Sequence, residues 1–158
     1  MLPASTQRPE TSTLRLSPEG LSIHMRIPAE RPYLRNAILT LREICDHLNI
    51  DPARRNRIVL ALEEALLNAV EHAYNGDGHL GQIDLQFTIE GDEFLVMVED
   101  FGQGISPEQA MGYIHDDRIL EDRGRGLCIL RGMSDRSVVQ ATERGTRATM
   151  MFHLPSNA

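Results

Sequence analysis

Residues 63–74 decide the fold of this chain, and their sequence is EEALLNAVEHAY. Apolar residues recur here at helical spacing, so we predict a helix that packs on a core. Glu64 and Asn68 are four residues apart, which places a carboxylate and a carboxamide one turn apart on the same helix face. Such a polar pair is unusual on a core helix, so this face is our first candidate for a functional site.

The segments before this stretch predict one strand and the two helices of the fold. Residues 21–27 alternate apolar and polar side chains, as in a half-buried strand. A helix is predicted from about residue 30 to residue 48. The second helix starts at Asp51-Pro52, an N-cap followed by proline at the first helical position, and we expect it to reach Tyr74. Glycines and polar residues at 75–78 then predict a loop.

The segments after that helix predict two hairpins separated by a polar stretch. Residues 83–89 and 94–98 form the first hairpin, and residues 138–142 and 147–154 form the last. Between them we expect a polar lid segment at about 106–123 and a short helix from Leu127 to Met133. The predicted fold class is α+β, a two-layer α/β sandwich with a mixed, mostly antiparallel sheet and helices on one face. We predict a single domain over residues 20–155, preceded by a disordered arm at residues 1–19.

Composition narrows the class of protein. The chain has 158 residues, 41% hydrophobic residues and a net charge of -7. That charge disfavours direct binding to nucleic acid, which needs a basic face. We find no apolar run of about 20 residues and no secretory signal, so we expect a cytoplasmic protein without a membrane partner. Cys45 and Cys128 fall in apolar helical patterns and are expected to be reduced thiols, with a disulfide left open.

The absence of lysine excludes several designs. All 16 basic residues are arginine. A P-loop and a eukaryotic-type protein kinase both need a lysine on the nucleotide phosphates, and Schiff-base enzymes need a lysine amine. None of these sites is possible in this chain.

Two glycine-rich spots accompany the polar helix face. Asp100, Gly102 and Gly104 form a turn after the central strand, where a carboxylate can accept a hydrogen bond from an exocyclic amine and glycines allow a flat ligand to approach. Residues 124–126 read Gly-Arg-Gly before a helix, which is a suitable site for phosphates. Asn68 offers Mg²⁺ a neutral oxygen ligand, and Glu64 is placed to orient or deprotonate an attacking hydroxyl group.

Together these residues resemble the GHKL (Bergerat) ATP-binding fold. Glu64-x-x-x-Asn68 is similar to its N box, Asp100-x-Gly102-x-Gly104 to its first glycine box and Gly124-x-Gly126 to its second. Gly145-Thr146 resembles the element that closes the fold. The wording of residues 68–74 and the short lid resemble the small anti-sigma-factor serine kinases of bacterial partner-switching systems.

The resemblance implies a protein that binds ATP and Mg²⁺, holds a sigma factor inactive and phosphorylates a serine of a small antagonist protein. It implies that Glu64 is the general base, that Asn68 is the Mg²⁺ ligand and that Asp100 binds the adenine amino group. A homodimer formed through the first strand and helix is a further implication. The other implied nucleotide-binding residues are Gly102, Gly104, Arg123, Gly124, Arg125, Gly126, Leu127 and Thr146, with either Arg123 or Arg125 on the γ-phosphate.

Simpler interpretations exist for each motif, namely a solvated helix face, a plain strand-ending turn and a flexible loop. The occurrence of the motifs together in order disfavours them. Two functional rivals are a nucleotide-dependent sequestering protein without phosphotransfer and the catalytic module of a histidine kinase. We expect the second to be wrong because about 28 residues before the first helix leave no room for a histidine-bearing hairpin.

Overall fold

The computed structural model describes residues 13–17, 20–73, 81–102 and 129–154, and its framework is a six-stranded sheet. Strands run in the order β1-β2-β3-β4-β6-β5, and every pairing among the described strands is antiparallel. The strands are β1 (Thr13–Ser17), β2 (Gly20–Pro28), β3 (Gln82–Glu90), β4 (Glu93–Asp100), β5 (Arg136–Ala141) and β6 (Thr146–His153), and the helices are α1 (Arg31–His47) and α2 (Pro52–Asn68).

Alternation along the strands decides which face of the sheet is covered. Ile23, Phe87, Val96 and Met150 are paired across β2, β3, β4 and β6, and all four are buried. Because side chains alternate between faces, this apolar row and the rows beside it form one layer of the core. The helices supply the other layer, with α1 in contact with β2, and α2 in contact with β4 and β6. The predicted two-layer α+β sandwich and both predicted hairpins are confirmed.

The start of α2 is formed as its sequence predicts. Asp51 is the N-cap, and its Oδ1 accepts a hydrogen bond from the backbone N–H of Arg54 at 3.0 Å. Pro52 occupies the first helical position, where its missing N–H has no consequence. Upstream, α1 ends at His47, and Asn49 two residues later adopts a left-handed φ of 54°. The N–H of Ile50 donates to the carbonyl oxygen of Cys45. These contacts define where α1 ends and where α2 begins.

The structure differs from the predictions at two described segments. Thr13–Ser17, placed in the predicted disordered arm, pairs with β2 as strand β1. Its Leu-Arg-Leu alternation supports a strand, but it is short and its flanks are polar, so composition favoured an arm. The α-helical geometry of α2 ends at Asn68, and Ala69–Ala73 form a π-helical turn. A π turn adds one residue per turn without any proline or glycine signal, so periodicity does not detect it.

Other predictions lie partly outside the described residues. Residues 129–133 are helical and confirm the end of the predicted short helix, whereas the predicted loop at 75–78 and the lid at 106–123 are not described. Cys45 is a buried free thiol, and burial, followed by the charge of Asp46, raises its pKa to about 11. Cys128 lies outside the described residues.

Candidate functional site

The carboxylate of Asp100 is the best-defined group of the candidate site. Asp100 is the last residue of β4, opposite Thr146 at the start of β6, and it is 7% exposed. Its Oδ1 accepts hydrogen bonds from the backbone N–H of Gly102 at 3.1 Å and from that of Thr146 at 3.3 Å. Both bonds end on Oδ1, so the carboxylate is oriented while its second oxygen, Oδ2, makes no hydrogen bond to another described residue.

The turn between β5 and β6 closes against Asp100. A Cβ atom on Gly145 would lie 2.2 Å from the carbonyl oxygen of Asp100 and 2.8 Å from its Oδ1. Only glycine permits so close an approach, because both contacts are shorter than any real Cβ makes. The turn is held by Thr142, whose Oγ1 accepts a hydrogen bond from the N–H of Gly145 at 3.0 Å and whose N–H donates to the carbonyl oxygen of Gly145 at 2.9 Å. Gly145 therefore sets the distance between β6 and Asp100.

Burial is the main influence on the ionisation of Asp100. It raises the pKa of this carboxyl group above the ordinary value of 3.8, and the negative charge of neighbouring Glu99 raises it further. The hydrogen bonds from Gly102 and Thr146 act in the opposite direction and lower the pKa, because they stabilise the charged form. A buried carboxylate held by two N–H groups is a suitable acceptor for an amine of a bound ligand.

Glu64 and Asn68 lie one helical turn apart at the C-terminal end of α2, as predicted. Both side chains are half-buried, and their neighbours Ala65, Leu66 and Ala69 are buried in the core. The π-helical turn that begins directly after Asn68 contacts β4, the strand that ends at Asp100. π turns are frequent at functional sites, because the wider turn shifts the direction of nearby side chains.

The sheet brings part of the predicted site together. Asp100, Gly102 and Thr146 are adjacent, and α2 with its π turn packs on the same strand. The predicted nucleotide-binding residues Gly104, Arg123, Gly124, Arg125, Gly126 and Leu127 lie outside the described residues, so their positions remain predictions.

Two features near Asp100 were missed by the sequence analysis. Glu99 is buried and pairs with Arg147, with Oε2 and Nη2 3.1 Å apart. The ring of Phe101 lies under the guanidinium groups of Arg26 and Arg144. Both features depend on the order of the strands in the sheet, which brings β2 and β6 near the end of β4. No local sequence pattern predicts that order.

Two classes of feature are absent from the part of the chain that the structure describes. No helix there combines the length and apolar character needed to cross a membrane. Within the same ranges, no group of three or more His, Cys, Asp or Glu side chains is arranged to hold a metal ion.

Comparison with known proteins gives concordant matches over most of the chain. The family model described as "Histidine kinase-like ATPase domain" matches residues 27–152. The serine-protein kinase RsbW of Oceanobacillus iheyensis is 31% identical over 119 residues, which are 72% of this chain and 75% of that protein.

Solved structures share the fold. A Mycobacterium tuberculosis structure of RsbU and RsbW domains has a TM-score of 0.63 and 24% identity, and the match covers 84% of this chain and 32% of that one. One chain of the SiaB–SiaC complex from Pseudomonas aeruginosa has a TM-score of 0.62 and 13% identity, with 82% and 86% covered. At these identities the likeness is one of fold.

Proposed function

This chain belongs to the histidine kinase-like ATPase domain family and, within it, to the RsbW serine-protein kinases, and we propose that it binds ATP with Mg²⁺ and phosphorylates a serine of a small antagonist protein. In the same proposal it holds a sigma factor inactive until the antagonist releases it. The observation that carries the proposal is the oriented, buried carboxylate of Asp100, flanked by Gly102 and Thr146 on the strand against which the end of α2 packs.

Asp100 has the chemistry to recognise adenine. Its Oδ1 is held by two backbone N–H groups, so Oδ2 is the oxygen that would accept a hydrogen bond from the exocyclic amine. An acceptor at this position favours adenine over guanine, because guanine presents a carbonyl oxygen where adenine presents an amine. Thr146 and Gly102 shape the pocket around the base, since their N–H groups fix the carboxylate.

The residues at the end of α2 fit Mg²⁺ and phosphate transfer. The carboxamide oxygen of Asn68 is a hard, neutral donor of the kind that Mg²⁺ accepts, and phosphate oxygens and water complete such a site. The bound ion would neutralise charge on the phosphates. Glu64 would accept the proton of the attacking serine hydroxyl, so that the hydroxyl oxygen bonds to the γ-phosphorus as the bond to the β-phosphate oxygen breaks. The predicted Arg123 or Arg125 would stabilise the transferring phosphoryl group.

Substitutions in α2 test these roles separately. Glu64→Gln should keep ATP affinity within about twofold and lower phosphorylation at least about 100-fold, because it removes only the base. Asn68→Ala should weaken binding of Mg²⁺-ATP roughly tenfold or more. Glu63→Gln is the matched control, since Glu63 is also half-buried but lacks the four-residue spacing to Asn68. Calorimetry with Mg²⁺-ATP and γ-labelled ATP assays with each small antagonist candidate of the source genome provide the measurements.

The outcomes discriminate between the proposals. Phosphorylation by Glu64→Gln at the wild-type rate would show that Glu64 is not the base. Absence of phosphoserine at every ratio of chain to antagonist, with ATP binding intact, would leave nucleotide-dependent sequestration without phosphotransfer. We also propose a homodimer formed through β2, the first strand predicted from the sequence, and α1, on which Tyr33 and Leu39 are 42% and 49% exposed. Light scattering of the purified chain measures its mass.

A further inference from the structure

The ring of Phe101 is held by two cations at the turn that follows β4. The guanidinium carbon of Arg26 lies 5.6 Å from the ring centroid, and that of Arg144 lies 5.8 Å from it. Both distances are within the range in which a cation is attracted to the face of an aromatic ring. Phe101 is the residue between Asp100 and Gly102, the pair joined by the 3.1 Å hydrogen bond that orients the carboxylate.

Arg26 is itself fixed on the neighbouring part of the sheet. It stands opposite Asp84 in the pairing of β2 with β3. Its Nε and Nη2 donate to the two carboxylate oxygens of Asp84 at 2.5 and 2.8 Å. This two-point contact sets the plane of the guanidinium group and so restricts where the Phe101 ring can lie.

Arg144 approaches the ring from the turn between β5 and β6. Its backbone N–H donates to Oγ1 of Thr142 at 3.3 Å, within the same turn that places Gly145 against Asp100. The residue after Gly145 is Thr146, whose N–H holds Asp100. Phe101 therefore follows the strand end that carries the carboxylate and contacts both the β5–β6 turn and β2, which lies beyond β3 in the sheet.

We propose that Phe101 is a positioning residue for nucleotide recognition, acting through Asp100 and clamped by Arg26 and Arg144. This inference rests on the proposed function, in which Asp100 reads the adenine base. Arg26 is in register with Asp84 and, through it, with Glu99, whose side chain is on the opposite face of the sheet from that of Asp100. The ring of Phe101 lies against Arg26, so it acts from behind the site. Without the ring, the Asp100–Gly102 turn is less restricted, and the carboxylate of Asp100 adopts its oriented conformation for a smaller fraction of the time.

The loss of affinity in Phe101 variants should concern recognition of the base and not recognition of the phosphates. Phe101→Leu retains an apolar side chain of similar length but has no aromatic face, and it should raise the Kd for Mg²⁺-ATP about fivefold. The Kd for Mg²⁺-ADP should rise by the same factor, because both ligands carry the same base. Phe101→Tyr keeps the ring and should bind both nucleotides within about twofold of the wild type.

Two exposed arginines of the β5–β6 hairpin, Arg144 and Arg136, supply a second test. Arg144→Gln should raise the Kd for Mg²⁺-ATP about twofold to threefold, and it should add no further loss when Phe101 is already leucine. Arg136→Gln is the matched control, because Arg136 is an exposed arginine of the same hairpin whose Nη2 pairs with Glu93 at 2.5 Å. Isothermal titration calorimetry gives the Kd values, and thermal unfolding without nucleotide gives the stability of each variant.

Several results would overturn the inference. Wild-type affinity in Phe101→Leu, even with a lower melting temperature, would make the ring a structural residue only. Equal losses in Phe101→Leu and Phe101→Tyr would exclude the aromatic face as the cause. If Phe101→Leu does not fold, equal affinities of Arg144→Gln and Arg136→Gln would be decisive against it. A wild-type chain that does not bind ATP would instead overturn the proposed function, and this inference with it.

Discussion

At Asp100, burial raises the pKa of the carboxyl group, while hydrogen bonds from the backbone N–H groups of Gly102 and Thr146 hold one of its oxygens in place. A raised folded-state pKa means that the charged form is less favourable in the folded than in the unfolded chain. Ionised Asp100 therefore lowers the free energy of unfolding at pH values above its folded pKa. The penalty disappears as pH falls towards 3.8, the ordinary pKa of an aspartate.

Asp100→Asn should separate stability from recognition. The new carboxamide oxygen can still accept from the N–H groups of Gly102 and Thr146, and the buried charge is gone, so the melting temperature at pH 7 should equal or exceed that of the wild type. The amide NH₂ would replace Oδ2 and face the adenine amine, donor against donor, so ATP affinity should fall roughly tenfold or more. Melting curves between pH 4 and 8 and calorimetry with Mg²⁺-ATP are the measurements.

Two results would contradict this account of Asp100. One is unchanged ATP affinity in the variant. The other is a stability advantage of the variant that grows as pH is lowered, since protonation of the wild-type carboxyl should make the advantage shrink.

At the scale of single residues, the sequence predicted contacts between residues that are close in the chain, but not contacts between residues that are far apart in it. Asp100 followed by Gly102 predicted a carboxylate in a glycine turn, because two residues are enough to define such a turn. The contact of Thr146 with Oδ1 joins residues 46 positions apart, and no local pattern encodes it. The roles of Glu64 and Asn68 remain predictions, although their one-turn spacing on α2 is confirmed.

At the scale of elements, β4 and β6 are joined by a charged pair as well as by their ladder. Glu99 and Arg147 are directly opposite in the register, and the side chains are 8% and 37% exposed. A buried carboxylate that loses its cationic partner is left with an unpaired charge, whereas removal of both partners leaves none.

Arg147→Met should lower the free energy of unfolding by about 1–3 kcal/mol, reduced from the fully buried case because Arg147 is partly exposed. The double variant Glu99→Met with Arg147→Met should recover most of that loss. Urea midpoints of both variants and of Glu99→Met complete the cycle. Additive effects of the two single changes would mean that the pair contributes no coupling.

Elements with a clear period were predicted well, and elements without one were not. The alternation in β2, β3 and β6 was sufficient to place these strands, and the N-cap of α2 was sufficient to place the start of that helix, because each signal lies within the element itself. Strand β1 escaped detection because it is five residues long and stands beside polar sequence. The π turn after Asn68 has no compositional signature, so a continuous helix was the simpler expectation.

For the whole molecule, Asp135 joins the start of α2 to the far end of the sheet. Its Oδ2 accepts from the backbone N–H of His153 at 2.6 Å and from Nη2 of Arg54 at 2.7 Å, and Arg54 also donates to the carbonyl oxygen of His153. The N–H of His153, and then the charge of Arg54, lower the pKa of Asp135. Ionised Asp135 therefore stabilises the fold above its unfolded pKa, and the contribution is lost as pH falls through the folded pKa.

Asp135→Asn should lower the free energy of unfolding at pH 7 by about 1 kcal/mol, a modest value because the carboxylate is partly exposed. The difference from the wild type should diminish below pH 3.8 as the wild-type carboxyl is protonated. Asp92→Asn is a matched control, since Asp92 is exposed and lies 3.5 Å from Nδ1 of His153. If Asp135→Asn lowers the free energy of unfolding by the same amount at pH 7 and at pH 2.5, the charge of Asp135 is not the cause of the stabilisation.

The arrangement of the whole sheet was the least predictable level. Both hairpins were expected from the sequence, but their order was not, because the pattern of each hairpin is satisfied in either orientation. The structure inserts β6 between β4 and β5, and this insertion brings Thr146, Arg147 and Arg144 to the end of β4. The pairing of β6 with β4 therefore accounts for most of the contacts in the candidate site that the sequence did not predict.

The insertion of β6 also has a consequence during synthesis on the ribosome. Asp100 emerges 46 residues before Thr146, and at roughly 5–20 residues per second this is a delay of about 2–9 s. Throughout that interval one edge of β4, an apolar strand, has no partner and can pair with another nascent chain. A chaperone that covers this edge would therefore act before the nucleotide site exists, and ATP added to a translating ribosome should not protect the chain until β6 has left the exit tunnel.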